Sequence, residues 1–200
     1  SMFRPSSPGQ MARSTRTILV PVLTDNCDPI RYSRHRMMTI ALSELLGSPV
    51  LDPSGKVGGR VREVAMSPRD DAVRVSGIIV KTAEGERVLP PQALQSLEPT
   101  TVWAVTPVSE WQPFSGGEGF LMLARDLLDQ QIIDVHGRKV VRVNDVDLLE
   151  DHHNAHVELK LSGVDVGARG AVRRLLRGLV PGVALRALVS KIPPRIIPWE

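Results

Sequence analysis

The sequence predicts a mainly β protein built as two small barrels in tandem, with short helices and one Arg-rich helix in the second repeat. Two observations carry this expectation. The first is an internal echo: Leu45-Leu46, Asp52, Gly55, Arg60 and Val61 return 82 positions later as Leu127-Leu128, Asp134, Gly137, Arg142 and Val143. Residues between them match in kind, Glu44 with Asp126, Val50-Leu51 with Ile132-Ile133, and Glu63-Val64 with Asp145-Val146. Solvated loops rarely keep apolar positions in register over such a span, so the echo implies a duplicated module with two similar small cores. The second observation is a succession of short β-branched runs separated by Gly, Pro and Asp turns, the pattern of a small barrel or curled sheet.

In chain order, Phe3 to Arg16 has too little apolar content to order itself, and residues 1–38 read as an arm. Within it, Ile18 to Leu23 is short and β-branched, and Pro21 confines it to an edge strand. The first barrel is expected over 39–108. Ile40, Leu42, Leu45 and Leu46 make an amphipathic turn ended by Gly47, and Pro49 forbids its continuation. Val50-Leu51 starts a strand that Asp52-Pro53-Ser54-Gly55 reverses into Val57 to Met66. Val61, Val64 and Met66 cannot share one face of a regular strand, which requires a bulge. Ser67 to Asp71 is a hairpin tip, Val73 to Lys81 the returning strand, Glu84-Gly85-Glu86 a second turn, and Thr100 to Thr106 the last strand. Ser109 to Gly119, with Pro113 and three glycines, has no periodicity and reads as the linker.

The second barrel is expected over 120–200. Leu127-Leu128, Ile132-Ile133 and Asp134 to Gly137 repeat the opening turn, strand and reversal, and Glu150 to Asn154 is placed at the hairpin tip. A glycine-bearing stretch, Gly163 to Gly170, then leads into a helix with Val172, Leu175, Leu176 and Leu179 at i, i+3, i+4 and i+7. Ile197-Pro198-Trp199-Glu200 resembles Leu89-Pro90-Pro91-Gln92, so the second barrel is expected to stop before its corner and final strand. That gap leaves an open edge, which Thr17 to Leu23 or another copy of the chain would cover.

Composition narrows the function classes. No apolar run approaches the roughly 18–20 residues that span a bilayer. The lone Cys27 cannot form an intramolecular disulfide, which fits a reducing, cytoplasmic compartment. The net charge of +3 is small. Its distribution is not even, because Arg169 to Arg195 holds seven basic residues and no acid.

The pattern Leu-Leu-Gly-x-Pro-Val-x-Asp-x-x-Gly-x-x-x-Gly-Arg-Val at Leu45 to Val61, with its copy at Leu127 to Val143, resembles the PRC-barrel family. That family includes the cytoplasmic domain of the photosynthetic reaction centre H subunit and the C-terminal domain of the ribosome maturation factor RimM. Gly163 to Gly167, the Arg-rich helix and Ile196 to Glu200 look like the paired barrels ahead of the intracellular and CBS domains in proteins related to the magnesium transporter MgtE. The resemblance implies a non-enzymatic cytoplasmic regulatory or assembly module associated with magnesium or manganese transport. Its partners would be downstream regulatory domains, a membrane transporter that tethers it to the bilayer, or a second copy in a homodimer. The alternative implied is an RNA- or ribosome-associated adaptor.

The candidate sites are few, and no catalytic residue, metal ligand or cofactor is assigned. Arg169, Arg173 and Arg177 form one helical stripe opposite the leucines, and with Arg174 they are the residues expected to meet a partner, either an acidic surface or solvent alone. His152, His153 and His156 beside Glu150 and Asp151 are the only metal-like cluster and read as a solvated tip. Asp52 and Asp134 suit hydrogen bonding to their own turns. Glu63 and Asp145 are expected to face solvent or pair with Arg60 and Arg142. The glycines at Gly163 to Gly170 lack the Lys and Ser/Thr of a phosphate loop, which favours backbone shaping. Three scattered tryptophans do not make a base-stacking platform.

Overall fold

The computed structural model describes residues 18–20, 38–98, 100–134, 139–153, 156–176, 179–180 and 182–199. The strands are β1 (Ile18–Val20), β2 (Met38–Ala41), β3 (Pro49–Leu51), β4 (Val57–Met66), β5 (Val75–Thr82), β6 (Gly85–Leu89), β7 (Leu94–Glu98), β8 (Thr101–Ala104), β9 (Gln112–Pro113), β10 (Leu121–Met122), β11 (Gln131–Asp134), β12 (Lys139–Arg142), β13 (Asp145–His153), β14 (His156–Asp165) and β15 (Ile196–Pro198). Helical structure comprises α1 (Leu42–Leu45), a π-helical turn at Leu123–Leu127, α2 (Ala168–Leu176), α3 (Gly182–Val189) and two 3-10 turns among the described residues. The protein is mainly β.

The strands form three sheets, in the orders β7-β8-β3-β4-β5-β6-β9 with β10 on β4, β1-β11-β12, and β15-β14-β13-β2. Among the described residues none closes on itself, so open sheets replace closed barrels. In the first copy β7 and β9 lie at opposite ends of the sheet. In the second, the long ladder that corresponds to β4 is broken between Arg142 and Asp145 into β12 and β13, which belong to different sheets.

The duplication is written into the backbone. Gly47 N–H donates to Val61 O and Asp129 N–H to Val143 O; Val61 N–H donates to Ser48 O and Val143 N–H to Gln130 O. Gly47 and Asp129 both hold the left-handed conformation, at φ 76° and 65°, so the chain leaves each leading helix at the same angle. The helices differ by one residue: Leu46 N–H reaches Leu42 O, whereas Leu128 N–H reaches Leu123 O, the i→i+5 bond of a π turn. The bulge required in β4 is present as a register shift between Val61 and Glu63. Ile197 lies opposite Val164 on β14 much as Leu89 lies opposite Ile78 on β5. Gly77 and Gly163 match as well, since a Cβ on either would stand 2.8 Å from Val88 or 2.6 Å from Ile196.

The copies are interlocked. The leading strand of the first, β2, pairs with β13 of the second, Ile40 opposite Leu148. The leading strand of the second, β10, pairs with β4 of the first, Leu121 opposite Met66. Strand β1 runs parallel to β11, Ile18 opposite Ile132, as β8 runs parallel to β3, Val102 opposite Val50. It thus sits against β11 as β8 sits against β3; Pro21 to Leu23 lie outside the described residues.

Two separate cores are not found. Val50, Val64 and Ile78 of the first copy and Leu127, Val146 and Leu161 of the second belong to one connected cluster of buried side chains. The reason is the exchange of strands together with direct seams: Leu161 N–H donates to Val73 O at 2.8 Å, and the Trp199 indole N–H to Ala72 O at 2.8 Å. The connector is ordered by one aromatic that periodicity could not reveal. Trp111 is 3% exposed, donates to Thr106 O at 3.1 Å, and holds β9 against β6.

Candidate functional site

Each leading helix is one turn long and starts at a residue without a capping side chain, Ala41 in the first copy and Met122 in the second. Its free amides need an acceptor. The other copy supplies it. Glu63 accepts from Ala124 N–H at 2.7 Å, Arg125 N–H at 3.0 Å and its neighbour Val64 N–H at 2.8 Å. Asp145, its equivalent, accepts from Ser43 N–H at 3.1 Å, the Ser43 hydroxyl and Val146 N–H at 2.9 Å. Both carboxylates are buried, 6% and 0% exposed, which corrects their expected surface placement. Arg60 instead donates to Gly47 O, and Arg142 pairs with Asp129 at 3.2 Å.

Asp145 carries one partner that Glu63 lacks. The Arg173 guanidinium of α2 reaches it at 2.7 Å, with Glu44 at 3.9 Å on its other side. Gly170 makes the approach possible, because a Cβ there would stand 2.8 Å from Asp145 Cβ. Removing one member of such a buried pair costs about 3–5 kcal/mol, since the remaining charge is left without compensation. Arg174 is engaged too, pairing with Asp129 and donating to Asn144 O at 3.3 Å. Arg174 holds the Asp129 carboxyl below the usual carboxylate range.

Of the arginines expected to meet a partner, Arg173 and Arg174 therefore meet acids of their own chain. Arg173 is buried, Arg169 lines a cavity and Arg177 lies outside the described residues. Of the apolar residues expected beneath the helix, Leu175 and Leu179 face outward instead, 75% and 76% exposed, while Val172 and Leu176 are half-buried. A fully buried carboxylate without a cation would be prohibitively costly, so ion pairing overrides the apolar preference of the helix.

The cavity has a volume of about 520 Å³ and lies among β2, α1, β13, β14, α2, α3 and β15. Its polar wall is Glu44, Asp147, Asp165, Arg169 and Arg173, and its apolar wall includes Leu185, Val189 and Ile196. Asp165 is buried and accepts from Gly167 N–H at 2.7 Å. The Asp147 carboxyl has no hydrogen bond among the described residues, and its pKa is pushed up to about 6. Burial is the main cause; Asp145 and Asp165 add to it, against the lowering influence of Arg173 and Arg169. The Arg169 Nε is fully buried and without a partner among the described residues. An unmatched donor and an unmatched acid thus share one cavity beside an apolar wall, which is the chemistry of a binding pocket.

The remaining sequence candidates separate as follows. His152 pairs in register with Val157, and His153 with His156, on the β13–β14 hairpin; the side chains of these three histidines are outside the described residues. Glu150 and Asp151 are buried in β13, which corrects their placement at the tip. Asp52 accepts from Ser54 N–H and Lys56 N–H, closing its own turn as expected; the turn after Asp134, and Cys27, lie outside the described residues. Gly163, Gly167 and Gly170 shape close backbone approaches. The sequence reading passed over Asp147, Asp165 and Glu44. One signal was available: Asp145 and Asp147 stand two apart on a strand and so share a face, opposite a helix rich in arginine and devoid of acids. No protein-family model matches the chain, and no curated protein is similar to it at a significant level.

Proposed function

We propose that the chain is a non-enzymatic interaction module of the PRC-barrel type, serving the regulatory or assembly side of a magnesium or manganese transport system. The observation that carries the interaction is the facing of α2, where Arg173 and Arg174 are engaged by internal carboxylates while Leu175, and Leu179 just after the helix, stand in solvent, as does Leu188 of α3. An exposed apolar ridge on a helix pinned by a buried ion pair is a preformed docking surface. Residues 166–199 contain no acid, and Lys191 and Arg195 are exposed near the ridge in sequence. The fitting occupant is an amphipathic helix with acidic flanks. The link to cation transport is supported by the resemblance at Gly163 to Gly167, the Arg-rich helix and Ile196 to Glu200. The RNA-adaptor alternative is weakened because Arg173 and Arg174 are already engaged.

The test is size-exclusion chromatography with light scattering on the chain mixed with the cation-sensing cytoplasmic part of an MgtE-type channel from the same organism. Co-elution is expected, and Leu175→Asp with Leu179→Asp should abolish it without changing the circular dichroism. Separate elution of the wild-type chain, or RNA binding that falls steeply with salt in place of co-elution, would overturn the assignment.

A further inference from the structure

The cavity against α2 supports a second role that does not depend on the leucine ridge. Its volume of about 520 Å³ falls within the range of about 300–1,000 Å³ typical of small-molecule sites. Among the described residues three acids, Asp145, Asp147 and Asp165, stand at or beside it against Arg169 and Arg173, and Asp145 is already matched by Arg173. The balance is negative, so a ligand cation is favoured and a ligand carrying only a carboxylate is repelled. A cation alone would leave the Arg169 guanidinium in the cavity wall without a counter-charge among the described residues. A ligand that presents an ammonium to Asp147 and a carboxylate to Arg169 satisfies both. Leu185, Val189 and Ile196 give it an apolar wall, which suits an aliphatic tail.

We infer that this cavity is a binding site for a small aliphatic zwitterion, a free α-amino acid of the leucine, valine or methionine kind, held between Asp147 and Arg169. Both residues sit on rigid elements, β13 and the first turn of α2, so the distance between the two ligand contacts is set by the fold.

Isothermal titration calorimetry of the full chain decides the matter with L-leucine, L-valine and L-methionine, and with two analogues of leucine, 3-methylbutylamine without the carboxylate and 4-methylpentanoate without the ammonium. At least one amino acid should bind, and its single-charge analogues should bind about tenfold to a hundredfold more weakly. Asp147→Asn should weaken leucine and the amine while sparing 4-methylpentanoate. Arg169→Gln should weaken leucine and 4-methylpentanoate while sparing the amine. The wild-type comparison stands without the variants. No binding of any of the three amino acids, or an analogue that binds as tightly as leucine, overturns the inference.

Discussion

Burial of acids decides most of the local chemistry, and its consequences are readable in pH. Asp147 is held largely out of water next to Asp145 and Asp165, and its pKa rises from 3.8 to about 6. The fold therefore favours the neutral carboxyl, so this residue's contribution is present below pH 3.8 and is lost as pH rises through about 6. The loss is no more than about 3 kcal/mol, and less to the extent that the open cavity admits water. Asp147→Asn should remove that slope and leave the protein more stable than wild type at neutral pH. Urea unfolding at pH 4 and pH 7.5 measures it, and a variant less stable than wild type at pH 7.5 would refute the account. The difference between the two proteins isolates this group from Asp52, Asp71 and Asp129, whose carboxyls are shifted downward by hydrogen bonds to Ser54, to Val73 N–H and to Arg174. Little of this was legible in the sequence. The 82-residue offset shows that Glu63 and Asp145 are equivalents, but the amides that bury them belong to the opposite copy, and no local pattern encodes a contact 102 positions away.

At the level of elements, turns and strand order were legible and helix facing was not. Asp52, Gly47 and the bulge in β4 are set by local backbone chemistry, so their sequence signals are sufficient. The leucine spacing of α2 states that the helix has two faces; which one points inward depends on the carboxylate waiting at Asp145. Strand β1 was legible in its short β-branched run, with Pro21 marking an edge strand. Its parallel pairing with β11 predicts that deleting residues 1–22 exposes that edge. Amide protection at Ile132 to Asp134 should fall in hydrogen exchange, and the unfolding free energy should drop by about 1 kcal/mol per lost ladder bond, lowering the urea midpoint. If protection and midpoint are both unchanged by the deletion, β1 does not close the second copy.

For the whole molecule, duplication has produced one folding unit instead of two. Each copy lends its leading strand to the other, each leading helix is capped by the other's carboxylate, and among the described residues the larger cluster of buried side chains runs across the seam. Residues 18–119 and 120–200, made as separate polypeptides, each lose a ladder partner and strand either Glu63 or Asp145 away from its amides. A chain of about 80–100 residues buries a modest core, and loss of the exchanged strand and of the apolar contacts across the seam removes much of the margin of about 5–15 kcal/mol that a domain holds. Each half alone should therefore give a collapsed NMR spectrum and no cooperative thermal transition, while an equimolar mixture should recover the dispersed spectrum of the intact chain with a concentration-dependent midpoint. Independent, cooperative folding of either half would mean that the shared core is a contact between two finished domains. Failure of the mixture to recover structure, with the intact chain folding normally, would mean that the connector anchored by Trp111 is needed to bring the exchanged strands together.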